Sequence, residues 1–127
     1  MTTTVNTAEA PAAIGPYAQA VKANGFVFVS GQLPIDPATG EFAGPDVRDE
    51  ARQSLRNAAA ILTEAGASID TVVKTTVLLT DIDDFAAVNE VYASVFTGKS
   101  LPARAAYAVK ALPKGARVEI EMIAVTA

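Results

Sequence analysis

Two segments of this chain are apolar at every position, and they limit the folds that the chain can adopt. Residues 26–29 read Phe-Val-Phe-Val, and residues 77–79 read Val-Leu-Leu. Consecutive side chains of a strand point to opposite sides of a sheet, so strands of this kind need apolar cover on both faces. An Asn-Gly pair at positions 24 and 25 stands directly before the first segment. It predicts a hairpin that joins this segment to a strand beginning near residue 17.

The rest of the chain supplies only two helices to cover such a sheet. Apolar residues at steps of three and four predict a helix over 47–65, with Asp46 as its cap and Gly66 as its end. Asp81 is expected to cap a second helix that runs to about Phe96. The pattern therefore predicts a single α+β domain over residues 1–127, in the order β-β-α-β-α-β-β, after an ordered irregular lead-in. The predicted strands cover 17–22, 26–30, 72–80, 103–109 and 117–126.

Both helices are expected on the same face of a mixed sheet, because right-handed crossovers bring them to the same side. The opposite face then has no cover within the chain, although its strands are apolar on both sides. We therefore expect another subunit to cover this face, which makes the chain an obligate oligomer. The alternative is a monomer with a partly apolar open face.

The chain has no His and no Cys among its 127 residues. Ser-His-Asp catalysis, a thiolate nucleophile and zinc sites built on these ligands are therefore excluded. The net charge is −4, and the only basic cluster is Arg48, Arg52 and Arg56, so nucleic acid is not an expected partner. No apolar run approaches the roughly 20 residues of a membrane span, and the N-terminus does not resemble a signal peptide. We expect a cytoplasmic protein without a membrane partner.

Arg104 is the only charged residue in the apolar stretch 101–107. A guanidinium in such a strand needs either an acidic partner or an anionic ligand. Its planar fork suits a carboxylate, which it can hold with two parallel hydrogen bonds. An ion pair with an acid of the core is an equally good explanation from the sequence alone.

Glu119 and Glu121 lie two residues apart in the last predicted strand, so both side chains belong to the same face of the sheet. With no imidazole in the chain, a glutamate is the natural general base or water-positioning group. A solvated strand face or a pairing with Arg117 explains such residues equally simply, and for Glu121 we keep that explanation. Two other signals are weak by themselves: the glycine in Ser30-Gly31-Gln32 at the end of a strand, and the polar Asn89 beside the apolar face of the second helix.

Several separate motifs together resemble the Rid (reactive intermediate deaminase) family, also called the YjgF family. The resemblance extends from about residue 10 to residue 126. The motifs that carry it are, in order, Ala12-Ala13-Ile14-Gly15-Pro16-Tyr17, Val29-Ser30-Gly31-Gln32, Val73-Lys74-Thr75-Thr76-Val77, Asp84-Phe85, Val88-Asn89, Pro102-Ala103-Arg104 and Val118-Glu119-Ile120-Glu121.

The resemblance implies a chorismate mutase-like fold and a homotrimer with ligand clefts between its subunits. It implies hydrolysis of reactive enamines and imines such as 2-aminoacrylate, 2-iminopropanoate and 2-iminobutanoate. The products are 2-keto acids and ammonia, and neither a metal nor an organic cofactor is implied.

The resemblance also suggests a role for particular residues. Arg104 would hold the substrate carboxylate, and Glu119 would position or activate water. Some relatives have Cys where this chain has Ala106, so a thiol has no role here, although the backbone at this position can still hold water. The remaining residues that resemble those lining or supporting the cleft are Tyr17, Ser30, Gly31, Phe85 and Asn89.

Two other functions are compatible with the same family. A small-carboxylate-binding regulatory protein would use Arg104 in the same way, but it would gain nothing from an anion such as Glu119 nearby. Ribonuclease activity or inhibition of translation is less favoured, because the chain is acidic and has no His.

Overall fold

The computed structural model describes residues 1–98 and 100–126. The strands form one mixed six-stranded sheet in the order β1-β2-β3-β6-β4-β5. Neighbouring strands are antiparallel except β4 and β5, which are parallel and are connected through the second helix. The elements are β1 Thr2–Val5, β2 Ala20–Ala23, β3 Phe26–Gln32, α1 Val47–Glu64, β4 Val72–Leu79, α2 Phe85–Val95, β5 Ala103–Ala108 and β6 Val118–Val125.

The predicted α+β sheet with two helices is confirmed, but the predicted element order was wrong at its beginning. Residues 2–5 form strand β1, which pairs with β2 at the edge of the sheet, whereas they were expected to be irregular. The run Thr-Thr-Thr-Val is β-branched throughout and was the available signal for a strand. Strand β2 begins at Ala20 rather than at residue 17, so Tyr17 lies in the loop before it.

The Asn-Gly hairpin forms as the sequence predicts. Asn24 and Gly25 both have positive φ, at 50° and 80°, as the two-residue turn between β2 and β3 requires. Helix α1 also follows the prediction closely, since the Asp46 side chain accepts a hydrogen bond from the Arg48 N–H at 2.8 Å. Gly66 follows the helix at φ 82°.

The second helix begins later than the sequence suggested. Asp81 caps a short 3₁₀ helix at Ile82–Asp84, and α2 starts only at Phe85. Asp83 and Asp84 therefore lie in a separate turn and not in the first turn of α2. The cap was correctly located, but a capping aspartate does not distinguish an α-helix from a 3₁₀ turn.

The two faces of the sheet have different surroundings. One face packs against the helices and contains fully buried side chains such as Val27, Val77, Ile120 and Met122. The other face, called the open face below, carries large exposed apolar side chains, including Phe26, Phe28 and Tyr107 at 41%, 45% and 51% exposure. No helix among the described residues is long and apolar enough to cross a membrane.

Candidate active site

A cavity of about 600 Å³ lies where the N-terminal lead-in meets the ends of β3 and β6. Its polar groups include the side chains of Glu119 and Glu121 from β6. Four of the residues proposed from the sequence line it together: Tyr17, Ser30, Gly31 and Glu119. The other lining residues are Pro11, Ala12, Ile14, Gln19, Gln32, Leu33, Ile35, Pro113, Lys114 and Glu121.

Glu119 is half-buried in this cavity. Burial raises the pKa of its carboxyl above the usual range, and the negative charge of Glu121 raises that pKa further. A carboxylate with a raised pKa is a stronger proton acceptor than an ordinary glutamate, as a general base needs. Arg117 is not the partner of Glu119, because Arg117 donates through Nε to Oε2 of the buried Glu50 at 2.7 Å.

Gly31 leaves the space in which the Glu119 carboxylate lies. A Cβ atom at position 31 would come within 2.7 Å of Oε2 and 2.8 Å of Cδ of Glu119. Gly31 stands in the irregular part of the β3–β6 pairing, where the register shifts between Val29 and Gln32. The glycine is therefore needed for the close approach of the carboxylate, and not for an unusual φ.

Ser30 and Gln19 hold the lead-in against the end of β3. The Ser30 hydroxyl donates to the Ala18 carbonyl at 2.6 Å, and the Ser30 N–H donates to the Gln19 carbonyl at 2.9 Å. The buried Gln19 side chain donates to the Pro11 carbonyl at 2.8 Å and accepts from the Thr7 N–H at 2.7 Å. These bonds fix the segment that carries Tyr17 over the cavity.

Arg104 lies in a second group of residues, at the sheet edge formed by β5. Its Nη1 donates to Oδ1 of Asn89 at 2.6 Å. Its guanidinium carbon is 5.4 Å from the ring centre of Phe85 and 4.8 Å from that of Tyr92, within the range of cation–π attraction. Three contacts therefore orient an exposed guanidinium, and the single hydrogen bond leaves further N–H donors for a ligand.

The ion pair with a core acid, which was the alternative for Arg104, is not what the structure has. Within residues 1–98 and 100–126, no carboxylate lies within salt-bridge distance of Arg104. Its partners are an amide oxygen and two aromatic rings. A cation oriented by neutral groups keeps its full charge available to an anionic ligand.

The register of the sheet puts the two groups on opposite faces. Arg104 is the β5 partner of Thr75, whose hydroxyl is 2.8 Å from that of Tyr92 on α2, so Arg104 belongs to the helix face. Glu119 is the β6 partner of Leu78 and belongs to the open face. The eight proposed residues thus fall into two groups of four within one chain. We call them the Glu119 group, with Tyr17, Ser30, Gly31 and Glu119, and the Arg104 group, with Phe85, Asn89, Arg104 and Ala106.

Sequence reasoning did not propose the other residues that line the cavity, among them the polar Gln19 and Lys114. Gln19 is 2% exposed and had a usable signal, because a buried amide among the apolar residues just before β2 needs hydrogen-bond partners. Lys114 lines the cavity from a turn at φ 60°, and nothing in the sequence distinguishes it from an ordinary surface lysine. Among the residues that the structure describes, no three acidic side chains are arranged to hold a metal ion.

Comparison with known proteins agrees with the fold. The family described as Endoribonuclease L-PSP matches residues 7–126. The mouse 2-iminobutanoate/2-iminopropanoate deaminase is 54% identical over 121 residues, which are 95% of this chain and 89% of the mouse protein.

Solved structures agree as well. A protein of the conserved Rid family from Yersinia pestis, YyfA, has a TM-score of 0.96 at 46% identity, covering 99% of this chain and 100% of that one. Escherichia coli TdcF with bound serine has a TM-score of 0.94 at 46% identity, covering 98% of this chain and 99% of that one. The fold is that of a small α+β protein with a half-buried carboxylate in a cavity and an oriented, exposed guanidinium. The chain belongs to the YjgF/Rid family, which the Endoribonuclease L-PSP family model describes.

Proposed function

We propose that this protein hydrolyses 2-imino acids and their enamine tautomers to 2-keto acids and ammonia. The substrates are 2-aminoacrylate, 2-iminopropanoate and 2-iminobutanoate. The observation that carries the proposal is the pair of groups described above: a half-buried carboxylate of raised pKa in a cavity, and an oriented guanidinium without an acidic partner among the described residues. The full-length similarity to deaminases of these imines supports the same activity.

Each group has a distinct part in the reaction. Arg104 binds the carboxylate of the substrate with its free N–H donors, which fixes the imine carbon next to it. Glu119 accepts a proton from water, which then adds to that carbon to form a carbinolamine. The same carboxyl returns the proton to the nitrogen. As ammonia leaves, the Glu119 carboxylate accepts the hydroxyl proton of the carbinolamine, and the keto group forms. Because a protonated imine is already electrophilic, positioning of the two reactants supplies much of the acceleration.

The two groups must come from different subunits to act on one substrate, since a single chain has them on opposite faces of its sheet. We propose a homotrimer in which the Arg104 group of one subunit faces the Glu119 cavity of the next. The exposed Phe26, Phe28 and Tyr107 support an oligomer, because burying such side chains stabilises association. Sedimentation should give a trimer at micromolar concentration, and a stable monomer of 13.1 kDa would contradict the proposal.

The activity can be tested with imines made in the assay. An amino-acid oxidase produces 2-iminobutanoate from 2-aminobutanoate, and the release of 2-oxobutanoate and ammonia is followed with and without this protein. We expect faster release in proportion to the protein added, and no change with the Arg104→Ala variant. An unchanged rate with the wild-type protein would contradict the proposed activity.

A carboxylate-binding regulatory protein is the second candidate, favoured by the serine bound to TdcF. Binding of 2-oxobutanoate without any turnover of the imine would favour this function. RNA cleavage is not expected, because the chain is acidic and has no imidazole, although the family description includes an endoribonuclease. Cleavage that co-purifies with the protein and disappears in Glu119→Gln would contradict that expectation. A cytoplasmic location stays a prediction.

A further inference from the structure

Helix α1 contains two buried amides that are joined in series. Gln53 is 8% exposed and Asn57 is 1% exposed. The Gln53 Nε2 donates to Asn57 Oδ1 at 2.8 Å, which fixes the orientation of the second amide. Asn57 Nδ2 then donates to two backbone carbonyls outside the helix, those of Leu33 at 3.1 Å and Ile35 at 2.9 Å. Both N–H groups of this buried amide are therefore committed to one short segment.

That segment forms a wall of the Glu119 cavity. Leu33 and Ile35 both line the cavity, and they follow closely in the chain after Gly31, which accommodates the carboxylate. The pairing of β3 with β6 ends at Gln32, so residues 33–35 run beyond the sheet ladder. The bonds from Asn57 thus tie this wall to the most deeply buried part of α1.

We propose that Asn57 is a positioning residue that sets the side-chain preference of the site, by holding Leu33 and Ile35 against the alkyl group of the substrate. This inference rests on the proposed function. The carboxylate and the imine of a 2-imino acid engage Arg104 and Glu119. The remaining substituent of the imine carbon is an alkyl group, which needs apolar surface. Leu33 and Ile35 provide such surface in the cavity, together with Ile14 and Tyr17.

A series of substrates that differ by one methylene tests the proposal. An amino-acid oxidase makes 2-iminopropanoate, 2-iminobutanoate and 2-iminopentanoate from alanine, 2-aminobutanoate and norvaline. In the wild-type protein each added methylene should raise kcat/KM by roughly three- to fourfold, which is the usual gain from burying such a group. In Asn57→Ala an added methylene should leave kcat/KM nearly unchanged, because KM no longer falls as the alkyl group lengthens. The kcat for 2-iminopropanoate should change by less than about threefold.

A purely structural role of Asn57 predicts a different result. Loss of folded protein would lower the rates with all three substrates by the same factor and leave the gain per methylene unchanged. The matched control is Leu62→Ala, which removes a fully buried side chain of the same helix that does not line the cavity. It should lower the melting temperature and keep the wild-type gain per methylene. Folded Asn57→Ala with the wild-type gain would overturn the proposal, as would a wild-type protein with no gain at all.

Two further measurements keep the proposal testable if Asn57→Ala does not fold or if no imine is hydrolysed. Leu33→Ala and Ile35→Ala alter the wall without touching the buried amides, and each should reduce the gain per methylene. An unchanged gain in both would overturn the proposal. If the wild-type protein hydrolyses none of the imines, the proposed activity fails by itself. The binding constants of pyruvate, 2-oxobutanoate and 2-oxopentanoate then show whether the wall recognises the alkyl group. Affinity should rise with chain length in the wild type, and this rise should be lost in Leu33→Ala and Ile35→Ala.

Discussion

The Glu119 group and the Arg104 group are built in opposite ways. Glu119 lies in a cavity that its own chain forms from the lead-in, the end of β3 and the turn at 113–115, and burial raises its pKa. Arg104 is exposed at a sheet edge and is held by one hydrogen bond and two rings. The carboxylate thus has its environment within one chain, whereas the guanidinium is oriented but not enclosed. The proposed function makes them two complementary halves of a site, and the opposite faces that they occupy separate them within each chain.

Replacing Arg104 should have the largest effect on activity. If this residue holds the substrate carboxylate, Arg104→Ala should lower kcat/KM for 2-iminobutanoate by roughly 10²- to 10³-fold, the loss typical of a buried charge pair. Arg104→Lys should recover little, because an ammonium keeps the charge but lacks the planar fork. Sedimentation of the same preparations is the control. A folded Arg104→Ala protein that keeps the oligomeric state and the turnover of the wild type would contradict the role of Arg104 in holding the carboxylate.

Glu119→Gln tests the other half of the site with a smaller expected effect. The amide keeps the shape of the side chain but cannot accept the proton from water, so kcat should fall by roughly 10²-fold. Binding of 2-oxobutanoate, measured by calorimetry, should persist because Arg104 is intact. Together the two variants separate binding from proton transfer. Undiminished turnover in Glu119→Gln would mean that another group activates the water.

Gly31→Ala should act through Glu119 alone. The added methyl group occupies the space of Oε2, and the flexible carboxylate must move aside. We expect a folded protein with turnover reduced by about tenfold, since a shift of the base misaligns the attacking water. The double variant with Glu119→Gln provides the control, because the glycine change should then cost little more. Equal losses in both backgrounds would show that Gly31 acts independently of the carboxylate.

The pH dependence should show the smallest change. Glu119 must be ionised to accept a proton, so the rate should fall as the pH drops through its raised pKa. Glu121→Gln removes the neighbouring negative charge, which lowers the pKa of Glu119 and moves this acid limb to lower pH. The other ionisable side chains that line the cavity, Tyr17 and Lys114, are unchanged in this variant. An acid limb that moves to higher pH would contradict the arrangement.

The sequence predicted the sheet, both helices and the Asn-Gly hairpin because these depend on local patterns and turn chemistry. It missed β1, since four residues at the edge of a sheet carry little periodicity. It gave Arg104 two equally good explanations, because the neutral partners Asn89 and Tyr92 lie on α2 and come close to β5 only through the tertiary fold. The separation of the two groups was also beyond the sequence, because it follows from strand order and register.

The central claim is that one active site takes Arg104 from one subunit and Glu119 from its neighbour. Arg104→Ala and Glu119→Gln chains, each inactive alone, can be unfolded together in equal amounts and refolded, with mixed oligomers verified by native mass spectrometry. In a cyclic assembly about a quarter of the clefts then combine an intact arginine with an intact glutamate, so about a quarter of the wild-type activity should return. Mixed oligomers with no more activity than either parent would contradict the claim.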